Sequence, residues 1–351
     1  MTRRFPLLAL LAVLLTTTSA CAQAGASRAS ASPPAEPAQL WAAFIQSKGY
    51  VVGSALVQSG LHRYGGDSTW THSGWNTPRV VGITYDPARP ETMFLASGNG
   101  ILRTRDGGAS WRLTTDWRIT EVQDVSLDPH APDHVYLASA YGVWRTEDGG
   151  ETWTESNDGL LNPGDHYTQT IEVDRTRQGR VLVGTEGGVY ESTDGARSWH
   201  HVGGDPEVEI LDLQQSRSDP DVWIAATYRN GLILSADGGR TWTDGPAAIA
   251  TQSVHGVAID PTDARRMTAV GWGTGVMVTE NGGRTWARRG ATLPTDNFYE
   301  AVFDANVPGR LWVATLEEGV YHSDDLGRTW TSAGLYGTLV FDMAYVYQAS
   351  R

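Results

Sequence analysis

Four acidic residues, Asp124, Asp212, Glu300 and Asp342, occupy one position of a segment that recurs down the chain, and Gly82, Thr170 and Gly256 hold that position in the other copies. Each lies in an alternating stretch such as EVQDVSLDP at 121–129, which is the pattern of a β-strand. If the position faces a common axis, the carboxylates form a ring. Close carboxylates raise one another's pKa, so such a ring could work as a paired acid and base or hold a cation. The other reading is architectural: the acids cap strands or accept backbone N–H groups between neighbouring repeats.

A second set of residues is aromatic. Trp75, Trp117, Tyr141, Tyr167, Tyr228, Trp272 and Tyr299 fall in segments that link strands, among Asn99, Glu186, Arg229, Asn230, Glu317 and Glu318. Flat apolar rings beside amides and carboxylates suit sugars, which stack on aromatic faces and hydrogen-bond at their edges. Packing of the loops themselves is the bland use of the same rings.

The element that must position both sets is an eight-residue box. It reads TRDGGASW from Thr104, TEDGGETW from Thr146, STDGARSW from Ser192, SADGGRTW from Ser235, TENGGRTW from Thr279 and SDDLGRTW from Ser323. The closing tryptophans, Trp111, Trp153, Trp199, Trp242, Trp286 and Trp330, stand 42 to 46 residues apart. That interval is the length of one four-stranded sheet. An eroded seventh copy, HRYGGDSTW, ends on Trp70. A hydroxyl, an acidic or amide acceptor, then glycines, is what a tight hairpin needs, because the side chains satisfy turn N–H groups and glycine enters left-handed backbone conformations. Asp106, Asp148, Asp194, Asp237, Asn281 and Asp325 are therefore expected to be structural, since six equivalent sites cannot all be one active centre.

The S-x-D-x-G-x-T-W pattern resembles the Asp-box, or BNR, repeat shared by sialidases, xyloglucan-type glycoside hydrolases, sortilin-type receptors and the propeller that assists photosystem II assembly. The resemblance covers roughly residues 50–346. It implies an all-β fold, a single seven-bladed β-propeller with Asp-box hairpins. The last strand pattern, TLVFDMAYVY at 338–347, should close the ring as the innermost strand of the N-terminal blade. That blade opens on the second-strand pattern VVGSALVQS at 51–59, and LWAAFIQSKGY at 40–50 reads as either a short helix or a lead-in strand. The enzymes' sites do not transfer residue by residue. No Arg-Ile-Pro motif of the sialidases occurs, although PRVVGI offers Arg79, and the xyloglucan-type enzymes place their acids between two propellers where this chain has one.

Other templates are absent. No G-x-S-x-G, phosphate-binding glycine loop or H-E-x-x-H occurs. The adjacent His200 and His201 point to opposite faces of a strand, so no metal site is expected there. A formal net charge of −13 argues against a nucleic-acid partner, which needs a concentrated basic face.

The N-terminus carries an address. MTRRF is basic, PLLALLAVLL apolar and TTTSACA small, which together read as a signal peptide over 1–21. TSAC resembles a lipobox, with Thr18 in place of its usual aliphatic residue, and Cys21, the only cysteine, would carry the lipid; simple secretion is the alternative. Residues 22–39 have the composition of a disordered tether, leaving 40–351 as the propeller. The expected protein is an extracytoplasmic monomer, periplasmic or on the cell surface, that touches membrane only through Cys21. It needs no cofactor and binds a glycan or protein partner; the alternative is a glycoside hydrolase drawing on Asp124, Asp212, Glu300 and Asp342.

Overall fold

Gln39–Gln46, the first strand of the chain, splits its side chains by parity. Leu40, Ala42 and Phe44 pack with Trp312, Ala314 and Val340, while Trp41 and Ala43 pack with Leu61, Val80, Met93 and Leu95. Successive side chains of a strand point to opposite faces, so a strand wedged between two sheets must be apolar on both. LWAAFI is.

The computed structural model describes residues 37–48, 59–74 and 79–347. Cys21, the signal-peptide segment, most of the tether, 51–58 and Trp75 lie outside them. The strands form five four-stranded antiparallel sheets and one eight-stranded sheet, with only two short 3-10 turns among the described residues. The third repeat shows the common order, Val122–Leu127, Val135–Ser139, Gly142–Thr146 and Thr154–Glu155, each paired with the next. In the eight-stranded sheet, Phe298–Phe303 through Thr331–Ser332 repeats this order. A second run follows the order Tyr336–Val346, Gln39–Gln46, Gly60–Gly66, Thr69–Ser73. The C-terminal strand thus pairs with Gln39–Gln46, from Gln39↔Val346 to Gln46↔Thr338. Its neighbour in the N-terminal hairpin is 39–46, its other edge meets Leu311–Glu318 at Leu316↔Leu339 and Glu318↔Tyr336, and 51–58 lies outside the described residues. The reason is burial: Leu40, Ala42, Ala43 and Phe44 are all sealed between neighbouring sheets.

The core has no single centre. One cluster joins Phe94, Ala96 and Ile101 of the second repeat to Val125, Leu137 and Trp144 of the third, and the next joins Tyr136, Ala138 and Val143 to Ile171, Val181 and Val183. Each sheet is therefore covered on both faces by its neighbours. No helix among the described residues is long and apolar enough to cross a membrane.

Each box folds the same way. Asp148 Oδ1 accepts the Thr146 hydroxyl at 2.7 Å and the N–H groups of Glu151 and Thr152, both at 2.9 Å, while Oδ2 accepts the Thr152 hydroxyl at 2.6 Å. Asp106, Asp194, Asp237 and Asp325 accept the corresponding hydroxyls and N–H groups. Two boxes force a non-glycine residue into the left-handed region, Ala196 at φ 59° and Leu326 at φ 57°, a strain on the order of 1 kcal/mol each. At the eroded copy, Trp70 Nε1 donates to the Ala333 carbonyl at 2.7 Å, as Trp199 Nε1 donates to the Ser156 carbonyl of the repeat before it, and so ties the first hairpin to the last repeat.

Candidate functional site

A cavity of about 550 Å³ is lined by the first strand of every repeat and by the C-terminal strand. What aims side chains into it is a β-bulge repeated at one place. Pairing runs Val122↔Ser139 and then Asp124↔Ala138, so Gln123 is skipped. The same skip leaves out Val81, Gln169, Leu211, His255 and Tyr299, and Phe341 in the C-terminal strand. A bulge sets two residues against one and turns both toward the same side. All seven skipped residues accordingly line the cavity, beside Asp124, Thr170, Asp212, Glu300 and Asp342. The fifth repeat keeps this register, with Asp212 paired to Ala226 as Asp124 is to Ala138.

Three of the four acids reach across to a neighbouring strand. Asp124 Oδ2 accepts the Ile171 N–H at 2.9 Å, Asp212 Oδ2 the Val257 N–H at 2.8 Å and Asp342 Oδ2 the Ile83 N–H at 2.6 Å. The free N–H in each case follows the bulge of the receiving strand. Among the described residues Glu300 accepts only the Ala301 N–H next to it, at 3.0 Å. All four are half-buried along the cavity wall, and desolvation by the surrounding protein is the first cause of their shifted acidity. It pushes Asp212 up to about 6 and Asp342 up to about 7, and carries Asp124 and Glu300 well above the usual carboxylate range. The negative charges of Asp212 and Asp342 add to the shift at Glu300. Among the described residues no three His, Cys, Asp or Glu side chains are grouped so as to hold a metal ion.

The aromatic residues divide. Trp272 and Tyr299 meet edge to face with ring centres 5.7 Å apart, and His255 lies between them at 4.5 and 5.4 Å. Phe341 continues the row 5.9 Å from Tyr299, with the Arg79 guanidinium 5.6 Å above it. Burial lowers the His255 pKa to about 4, so its imidazole is neutral at pH 7. This row lies at the amino ends of the first strands, and Trp272 is 45% exposed there. Trp117, Tyr141 and Tyr228 are exposed on other loops and Tyr167 is half-buried. Among the described residues none of these four makes a ring contact with the row. Residue type does not mark His255 and Phe341; they hold the place directly before the position of Asp124 in the aligned first strands, which is Gly256 in one and Asp342 in the other.

No family model matches the sequence, and no curated protein matches it either. Solved structures do. The GH74 enzyme of Niastella koreensis aligns with a TM-score of 0.68 at 17% identity, over 84% of this chain and 54% of its own. The extracellular domain of BT4673 from B. thetaiotaomicron aligns with a TM-score of 0.60 at 16% identity, over 82% and 38%. YCF48 from Cyanidioschyzon merolae aligns with a TM-score of 0.58 at 18% identity, over 72% and 84%, and a YCF48 structure with bound D1 peptide aligns at 0.57, also at 18% identity, over 72% and 81%. The chain spans about half the length of that GH74 enzyme. What is shared at these identities is the β-propeller fold.

Proposed function

We propose that this chain is an exported, lipid-anchored propeller of seven blades that binds a glycan at the amino-end mouth of its axial cavity. The eight-stranded sheet is then two blades, and the C-terminal strand closes the ring. That closure is supported by the pairing of Tyr336–Val346 with Gln39–Gln46, by the packing of that C-terminal strand between Phe298–Phe303 and Val80–Asp86, and by the Trp70 to Ala333 bond. Export and the anchor at Cys21 follow from the N-terminal sequence, and the boxes serve as architecture.

The observation that carries the ligand class is the aromatic row Trp272, His255, Tyr299 and Phe341 with Arg79 beside it. Stacking surfaces bordered by Arg79 and Gln123, 3.5 Å apart, match a sugar's apolar face and hydroxyl rim. The likeness to a GH74 enzyme agrees with a carbohydrate ligand, and the YCF48–peptide complex shows the fold accepting a peptide. Binding is favoured over hydrolysis because Asp124, Asp212 and Asp342 each spend an oxygen on a backbone N–H.

The test is a glycan array and a hydrolysis screen of the mature chain. Trp272→Ala should weaken retention about tenfold, the loss of roughly one stacking contact, with the melting temperature unchanged. Turnover that disappears in Glu300→Gln would replace the reading with a hydrolase. Retention indifferent to both Trp272→Ala and Tyr299→Ala would remove the aromatic row from it.

A further inference from the structure

The far mouth of the cavity, at the carboxyl ends of the first strands, is built differently. Arg175 follows Thr168–Val173 and Arg217 follows Ile210–Gln215, and both line the cavity with Tyr85 and Tyr347. The two guanidiniums are near neighbours: Arg175 is the first cause of a lowered pKa at Arg217, ahead of burial. An arginine stays protonated regardless, so two like charges face one space.

Their partners do not balance them. Arg175 Nη2 donates to Glu172 at 2.7 Å. Its Nε is buried and has no hydrogen-bond partner, an unmet donor of the kind that costs stability unless a ligand meets it. Arg217 has no carboxylate within ion-pair distance among the described residues, and its positive charge acts on Tyr85, which lines the same mouth. Two cations therefore stand against one anion, in a chain whose net charge is −13.

The site is also held in place. The Arg175 N–H donates to Gln215 Oε1 at 2.8 Å, and His130 Nε2 contacts the Arg175 carbonyl at 2.9 Å. The loop is thus pinned from the repeats on both sides. We infer that Arg175 and Arg217, with the hydroxyls of Tyr85 and Tyr347, form an oxyanion site at this mouth, for a carboxylate, phosphate or sulfate group. Guanidinium forks pair with such groups through two parallel N–H donors. This site stands apart from the aromatic row, which lies at the other end of the strands, so either can fail alone.

Isothermal titration of the full chain with sodium sulfate, sodium phosphate and sodium acetate, at ionic strength fixed with chloride, tests it and sorts the sources. Saturable binding of at least one is expected. Arg217→Gln should weaken it at least tenfold, and Arg240→Gln, at an exposed Asp-box position, should leave it unchanged. If Arg217→Gln prevents folding, Arg217→Lys keeps the charge, removes the fork and should lose tenfold as well. No saturable heat with any of the three anions, or wild-type affinity in a folded Arg217→Gln or Arg217→Lys, overturns the site.

Discussion

Asp148 gathers four donors with two oxygens, and its chemistry is legible in the letters of the box because every partner lies within seven consecutive residues, 146–152. Burial alone would raise its pKa. The Thr152 hydroxyl and N–H, the Thr146 hydroxyl and the Glu151 N–H outweigh it and hold the carboxylate at about 2. The chain carries its own control in Asn281, where Oδ1 accepts the Thr285 N–H at 2.9 Å while Nδ2 donates to the Thr285 hydroxyl at 2.7 Å. An amide therefore rebuilds the turn with one bond reversed. Asp148→Ala leaves the turn N–H groups to water and should cost about 1 to 2 kcal/mol, as loss of a capping side chain does. Asp148→Asn should cost less than half as much. Denaturant midpoints of the two variants check this, and equal losses would mean that the charge, not the turn geometry, matters.

At the scale of the strand, the unit is the stitch rather than the acid. Asp124 bonds its own neighbour Val125 at 2.7 Å and the Ile171 N–H of the next repeat at 2.9 Å. Asp124→Ala would leave that amide facing the cavity without an acceptor, a loss of about 1 to 3 kcal/mol for an unmet group. It should also speed hydrogen exchange at Ile171 well beyond exchange at Val183, whose strand pairs inside its own sheet. Unchanged protection at Ile171 would show that the carboxylate does not hold the strands together. The acid position is legible because one repeat aligns with the next. The bulge that turns His255 and Phe341 inward is not, since it is a property of register and no residue type marks it. Gln39–Gln46 is hidden for another reason: with both faces buried its apolar run lacks alternation, and such a run reads equally as helix or strand. The arginine mouth is hidden too, because Arg175 and Arg217 become neighbours only when two repeats stand side by side.

The whole molecule sets the two classes of carboxylate against each other. In the ring proposed above, acid and small residue alternate as Asp342, Gly82, Asp124, Thr170, Asp212 and Gly256, and an odd number of blades then leaves Glu300 beside Asp342. Desolvation raises all four cavity acids, and for Asp212 and Asp342, at about 6 and 7, the folded chain holds protons between about pH 4 and 7 that the unfolded chain has released, with Asp124 and Glu300 shifted in the same direction. Their contribution is present at low pH and is lost as pH rises through that window. His62 and His255, lowered to about 4 by burial, act oppositely between pH 4 and 6.5, but two imidazoles oppose four acids. The box aspartates Asp106, Asp148, Asp194 and Asp325, held at about 2, contribute above pH 4 and lose that contribution as pH falls toward 2. Stability should therefore peak between about pH 4 and 5 and decline toward pH 7 by roughly 1.4 kcal/mol per pH unit for each net proton. Growing self-repulsion toward the net charge of −13 at pH 7 acts in the same direction. Melting temperatures from pH 3 to 8 test the curve, and Asp342→Asn should flatten its upper limb while leaving the acid limb in place. A melting temperature that is flat or rising from pH 5 to 8 would mean that the cavity acids are solvated like surface carboxylates, and with that their placement around a common axis would fail.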